Sequence, residues 1–346
     1  FQKGKLIMRV LYIGTIKTNS KFEYLALKNF CKSIDVIDCN PLFLFPAITR
    51  RIFHHISPKI FEPFLNNFIL SKVNKKYDLI YVNSASAAYI GQKLILNLKE
   101  KTKKIVVSII DNPFVKRDKN RWKLYLDAAL YYDLTATYIK SRLTMGKKYG
   151  IKNILLSYPP YQKDIHCKKK ISIIEKKKLS SEIVMIGTWF PERGIFFKKL
   201  MDLGLDFKIY GTRWEKDPNY HMMKSKIKLG HIYHPMYSKL IQCSKISICL
   251  PSSENVDGLT RRSIEIPAIG TLLCAKRTID HKNLFKENKE AIFFNNANEC
   301  YKKCINYLKN EKKRKQIAYN GHIKVTKILK CDYSSAIKTI IKKINI

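Results

Sequence analysis

The sequence predicts an α/β protein built from two doubly wound domains. Three observations carry this. Short apolar runs suited to parallel strands alternate with amphipathic stretches along most of the chain. Two of those runs end in a glycine before a helical pattern, at Gly14 and Gly187, as the first strand of a doubly wound sheet does. At 346 residues and 46% hydrophobic content, the chain is long enough for two cores of ordinary size.

The first domain is read over residues 1–158. Residues 8–14 (M-R-V-L-Y-I-G) give a strand and turn, followed by a helical pattern to about Cys31 and a second strand at 34–38. Gly14 stands where backbone would approach a bound ligand, or it is a plain strand-to-helix turn; one glycine does not decide. Residues 44–76 interleave Arg50, Arg51, His54, His55, Lys59, Lys72, Lys75 and Lys76 with Ile48, Phe53, Ile56, Ile60, Phe61, Phe64, Leu65, Phe68 and Ile69. Such a mixture suits an anionic membrane surface; equally, the aromatics are core and the bases its wet side. Residues 77–84 and 104–110 are further strands. The second ends at Asp111-Asn112-Pro113, and residues at strand carboxyl ends face the ligand crevice of such folds. Asp111 and Asn112 are therefore candidate ligand contacts, although an Asx-Pro turn explains them as well. A helix near 120–132, a strand at 134–137, a helix at 139–148 and a strand and turn at 154–160 complete the domain. Charge and proline then mark a linker at 159–181, with lysine runs at 168–170 and 176–178.

The second domain, 182–330, opens with a strand ending in Gly187, a loop to Gly194 that includes Thr188 and Arg193, and a helix at 195–203. The next strand, 207–211, ends in Tyr210-Gly211, and its loop holds Trp214, which either stacks on a base or packs the loop down. A short strand within 228–233, a helix at 237–243 and a strand at 246–250 follow. The stretch 257–270 reads D-G-L-T-R-R-S-I-E-I-P-A-I-G. It is loop and helix start, with Pro267 early enough for the first turns. N–H groups at a helix start favour an anion, and the forks of Arg261 and Arg262 suit phosphate oxygens. Asp257 and Glu265, eight apart, are placed to face one ligand. The plain alternative is a solvated helix start whose charges serve solubility. Strands at 271–274 and 291–294, helices at 300–308 and 311–329, and a last helix in 331–346 close the chain.

Two acids eight apart before a small-residue helix and a glycine resemble the donor-binding signature of GT-B glycosyltransferases of the family 4 type, with Asp257 where Glu is usual. The pattern T-x-R-x-x-E (Thr260, Arg262, Glu265) with A-x-G (Ala268, Gly270) is similar to the CgeB-like, or spore-maturation-type, branch. So are two upstream elements, G-x-x-x-x-x-R (Gly187 to Arg193) and Y-G-x-x-W (Tyr210, Gly211, Trp214). The resemblance covers about residues 180–330 well and the first half in outline. It implies two Rossmann-like domains facing a central cleft, with the terminal helix crossing back to the first. It further implies a nucleotide-sugar donor and a glycan or lipid-linked acceptor. In that picture Glu265 binds the ribose, Asp257 holds the sugar hydroxyls, and Arg193, Arg261 and Arg262 meet the diphosphate. Asp111 lies across from the donor. The resemblance also implies retention of anomeric configuration.

The remaining features narrow the chemistry. Lys+Arg number 66 against Asp+Glu 27, a net +39, which draws polyanions or an anionic leaflet. No basic recognition helix or RNA-binding aromatic signature is present, so nucleic acid is not the expected partner. A non-catalytic polyanion- or membrane-binding protein on the same scaffold is the second reading. No D-x-D motif and no zinc-type His/Cys spacing occurs, so no cofactor or metal is expected and arginines and fixed dipoles must meet the diphosphate charge. Nine cysteines, an odd count without C-x-x-C, point to reduced, buried thiols; Cys300 and Cys304, four apart on a helix, could pair on a metal, but no His or Cys partner pair sits nearby. No apolar run reaches the ~20 residues of a membrane span, and no secretory signal precedes Met8. The expected place is the cytoplasm, at the inner face of the membrane.

Overall fold

The computed structural model describes residues 8–17, 20–38, 47–115, 120–138, 140–251 and 258–346. The chain divides into two units, Phe1–Tyr158 with Tyr333–Ile346, and Pro159–Asp332.

In the first unit six parallel strands form one sheet: β1 (Arg9–Ile13), β2 (Ser33–Ile37), β3 (Tyr77–Val82), β4 (Thr102–Ile109), β5 (Leu134–Thr137) and β6 (Ile154–Leu156). Their order is β2-β1-β3-β4-β5-β6. Successive residues go to opposite faces. Val10, Tyr12, Leu79 and Tyr81 enter one apolar cluster and Leu11, Ile13, Ile80 and Val82 the other. Both faces are covered, which is why these strands read as unbroken apolar runs. The C-terminal helix Tyr333–Ile344 belongs to this unit. It buries Ile337, Ile340, Ile341 and Ile344 in the cluster that holds Tyr12 and Leu27, with Tyr333 edging Phe22 at 5.9 Å.

The second unit repeats the plan with β7 (Ser181–Ile186), β8 (Lys208–Gly211), β9 (Ile227–Leu229), β10 (Ser244–Cys249), β11 (Leu272–Lys276) and β12 (Ile292–Phe294). The order is β12-β11-β10-β7-β8-β9, all parallel. Strand order, not strand direction, reverses between β7 and β10, and ligands of open α/β sheets bind outside the strand carboxyl ends at such a switch point. Gly187 follows β7 and Leu250 follows β10, so the glycine loop and the end of β10 meet there.

Several element bounds differ from the sequence reading. The helix expected at 195–203 runs Pro191–Asp202; proline pre-sets the first helical turn, and the apolar periodicity starts only later. The stretch 159–181 packs with the second unit. Tyr161 bridges Asp332, and the helix Ile173–Leu179 carries a capping box, Ser172 with Glu175. Residues 47–70 divide as both readings of that segment allowed. Phe53, Leu65 and Ile69 are fully buried and Phe61 and Phe68 pack beside them. Ile48, Ile56 and Ile60 are 58%, 61% and 63% exposed. Among the described residues no helix is long and apolar enough to cross a membrane.

Candidate functional site

The site is built first by two loops locked to each other. Gly187 N–H donates to Tyr210 O at 2.9 Å and Trp189 N–H to Thr212 O at 2.9 Å. The Trp214 indole N–H donates to Gly187 O at 2.9 Å, and the Thr188 and Thr212 hydroxyls sit 3.2 Å apart. A Cβ on Gly211 would lie 2.0 Å from Gly187 O, so only glycine permits this approach. Trp214 is fully buried: it packs the loop down, and no face is left for stacking on a base. Asp217 completes the clamp. It accepts from the Trp189 indole at 2.7 Å and lies where a Cβ on Gly194 would come within 1.6 Å of its Oδ2.

Arg193 sits in the first turn of the helix Pro191–Asp202 and is 2% exposed. Its guanidinium donates to Thr188 O and Leu250 O, both at 2.7 Å, bracing the ends of β7 and β10. Two of the five guanidinium donors of Arg193 thus go to backbone carbonyls, and Nε has no partner among the described residues. Its charge still faces the site: a Cβ on Gly187 would stand 3.2 Å from its Nη1 and 3.7 Å from Arg262 Cζ. Burial first, and the Arg262 charge among the further causes, hold Arg193 down to about 10. Two guanidinium groups converging on one buried glycine make an electropositive spot at the switch point, which an anion would relieve.

Glu265, in the helix Arg262–Ile269, is 8% exposed. Its Oε2 accepts from the Tyr237 hydroxyl at 2.6 Å, and its Oε1 is 3.6 Å from His166 Nε2. The Gln162 amide donates to His166 Nδ1 at 2.9 Å. The proton of the neutral ring is then on Nε2, toward the carboxylate. Burial is the main reason His166 is pushed below its ordinary range; Glu265 opposes the shift, and Arg261 and Lys169 add to it. His234 lies 4.8 Å from the His166 ring and 5.1 Å from Tyr237, and burial takes it to about 4. His166 and Tyr237 escaped the sequence reading. His166 lies in the stretch taken as linker, and only tertiary packing brings it to Glu265.

The helix start is tied down from within. Ser263, Ile264 and Glu265 N–H groups donate to Thr260 O or Arg261 O, so side chains rather than these amides are what this end offers a ligand. Thr260 N–H donates to Ser263 Oγ at 3.1 Å, and Thr260 Oγ1 is 3.3 Å from Cys249 Sγ. Behind them His281 is fully buried. Its Nδ1 is 2.8 Å from Lys276 O, which can only accept, so Nε2 accepts from the Ser263 hydroxyl at 2.8 Å. Thr278 Oγ1–H donates to Gly258 O at 2.6 Å. Asp257, with the rest of 252–257, lies outside the described residues.

The remaining candidates belong to the first unit. A Cβ on Gly14 would lie 2.6 Å from Asn83 Cβ and 2.8 Å from the Tyr12 ring; the close approach there is to the unit's own side chains. Asn112 is 3% exposed and its Oδ1 accepts from Phe114 N–H at 3.1 Å, the Asx turn. Asp111 is exposed at the end of β4. A feature the sequence did not flag is buried Glu23, which accepts from the Tyr81 hydroxyl at 2.7 Å and from the Asn83 amide.

Comparison with known proteins fits this architecture. The model of the glycosyl transferase-like family matches residues 193–340. Among solved structures, sucrose-phosphate synthase (tll1590) from Thermosynechococcus elongatus superposes with a TM-score of 0.71 at 11% identity, covering 97% of this chain and 99% of that one. Anabaena Alr3699/HepE in complex with UDP and glucose gives 0.68 at 10% identity, over 98% and 99%. Trehalose-6-phosphate from E. coli bound with UDP-2-fluoro glucose, as that structure is described, gives 0.66 at 10%, over 97% and 98%. No curated protein matches the sequence. The chain has the GT-B fold, and part of its second half is similar to the glycosyl transferase-like family.

Proposed function

We propose that the chain is a glycosyltransferase that binds a nucleotide-sugar in its second unit and moves the sugar to a glycan or lipid-linked acceptor. The observation that carries this is the convergence of Arg193 and Arg262 on buried Gly187 at the switch point. Fixed positive charge in a partly dry site gains strength as a leaving diphosphate develops charge, so it acts on the transition state. Arg262 is the direct diphosphate ligand in this reading, and Arg193 is the braced charge behind it. Glu265, held by Tyr237 and His166, offers its remaining lone pairs to ribose hydroxyls. Asp257 holds the sugar and Asp111 approaches the acceptor. Retention without a divalent ion, the CgeB-like branch and polysaccharide assembly at the inner membrane face belong to the same proposal. UDP and glucose in the HepE structure make UDP-sugars the first donors to try.

The experiment is a transfer assay. Purified protein is incubated with UDP-, GDP-, CMP- and ADP-sugars, with and without a membrane lipid extract, in the presence and absence of EDTA. Release of nucleotide that depends on the extract, with label appearing in the lipid phase, is the expected result. Salt-sensitive vesicle or DNA binding with no turnover of any donor would favour the non-catalytic reading.

A further inference from the structure

Cys300 and Cys304 gain a third partner from the neighbouring strand. Cys274 on β11 faces the helix Ala297–Lys309, and all three sulfurs are fully buried. Cys274 and Cys300 Sγ are 3.9 Å apart, Cys300 and Cys304 Sγ 4.0 Å, and all three lie within 4.8 Å of one another. The triangle has the size a metal requires. With a metal–sulfur bond of about 2.3 Å, three sulfurs around a trigonal ion stand ~4.0 Å apart.

The number and kind of ligands choose the ion. Among the described residues no fourth His, Cys, Asp or Glu joins the group. The surrounding side chains, Ile292, Phe294, Ala297 and Ile317 among them, are apolar and buried. Zinc asks for four ligands, or three and a water, and this pocket supplies neither. Hard cations need oxygen. A soft ion content with three thiolates is Cu(I). We propose that Cys274, Cys300 and Cys304 form a three-coordinate Cu(I) site. Binding exchanges thiol protons for the ion and involves no change of oxidation state. The site lies on the face of β11 opposite the helix Arg262–Ile269. Occupancy would tie β11, which leads to Thr278 and His281, to the helix Ala297–Lys309.

The test reads metal, not sugar transfer, so it stands or falls apart from the glycosyltransferase proposal. Anaerobic, folded full-length protein is loaded with Cu(I) under ascorbate and challenged with the chelator bicinchoninate. Wild type should keep one equivalent, and its thermal midpoint should rise on loading. A variant with the other cysteines changed (Cys31→Ala, Cys39→Ala, Cys167→Ala, Cys243→Ala, Cys249→Ala, Cys331→Ala) should keep it too, whereas C274A/C300A/C304A should keep none. Should the triple variant fail to fold, C304A alone carries the test, since loss of one of three ligands should release the copper to the chelator. Full retention in C304A, or no retention by folded wild type, would overturn the site and leave a packed thiol core. One zinc held against an equivalent chelator in preference to copper would overturn the three-coordinate assignment.

Discussion

In the proposed reading Arg262 meets the diphosphate while Arg193 braces backbone carbonyls, so replacing Arg262 with alanine separates ligand binding from fold stability. Arg262 is half-buried and its guanidinium faces Gly187 beside Arg193. A charge-assisted bond to a phosphate is worth about 1.5–3 kcal/mol. Arg262→Ala should therefore weaken nucleoside diphosphate binding by about 10- to 150-fold. The free protein should not suffer. Removing one of two like charges relieves a repulsion that contributes to holding Arg193 below its ordinary range, so the unfolding midpoint should stay or rise slightly. Arg193→Ala should behave otherwise. It strips hydrogen bonds from Thr188 O and Leu250 O and leaves the ends of β7 and β10 unbraced, a loss of about 2–4 kcal/mol of stability. Calorimetry with nucleoside diphosphates and urea unfolding of both variants measure the two effects. Unchanged nucleotide affinity in Arg262→Ala would remove that arginine from the site. A large loss of stability in the same variant would refute the division of roles.

Three further outcomes are expected. Trp214→Phe deletes the donor to Gly187 O and leaves a small void where the buried indole was, and denaturant unfolding should show a loss of about 2–4 kcal/mol from the two together; no loss would mean the loop clamp does not depend on that side chain. His281 has a folded value of about 4 against an ordinary 6.5. A lowered histidine contributes stability that is whole above 6.5 and fades as pH falls toward 4, by about 3 kcal/mol at pH 4. Urea midpoints from pH 7.5 to 4 should show this in wild type and less of it in His281→Gln; equal slopes would acquit His281. Ile56→Ser with Ile60→Ser, at sites 61% and 63% exposed, should leave stability nearly unchanged. It should lower partition onto anionic vesicles by about 10-fold or more, each side chain being worth roughly 1–2 kcal/mol when buried; undiminished vesicle binding would free that surface from the membrane proposal.

The alternation of apolar runs announced both sheets, since strands covered on two faces carry no polar positions to hide them. Glycines at 187 and 211 and the T-x-R-x-x-E spacing located the loops and Glu265, because these depend on local backbone and helix periodicity. What the sequence did not show depends on contacts distant along the chain. His166 reaches Glu265 across 99 positions, and its lysine-rich neighbours lie on the wet side of a packed segment, which imitates a linker. The bracing role of Arg193 did not show because its acceptors, Thr188 O and Leu250 O, are main-chain atoms that leave no mark in a side-chain pattern. Cys274 joins Cys300 and Cys304 only through the register of β11 against the helix after β12. Asn112 and Gly14 stayed ambiguous in sequence because a turn and a ligand contact use the same residue types.

The most direct test of the central claim is calorimetric titration of the intact protein with UDP, GDP, CMP and ADP, each with EDTA and again with a divalent ion. Saturable one-to-one binding of one nucleotide, present in EDTA and lost in Arg262→Ala, is the predicted result. Binding that appears only with the divalent ion would contradict the metal-free diphosphate site, and no binding in either condition would contradict the donor site itself.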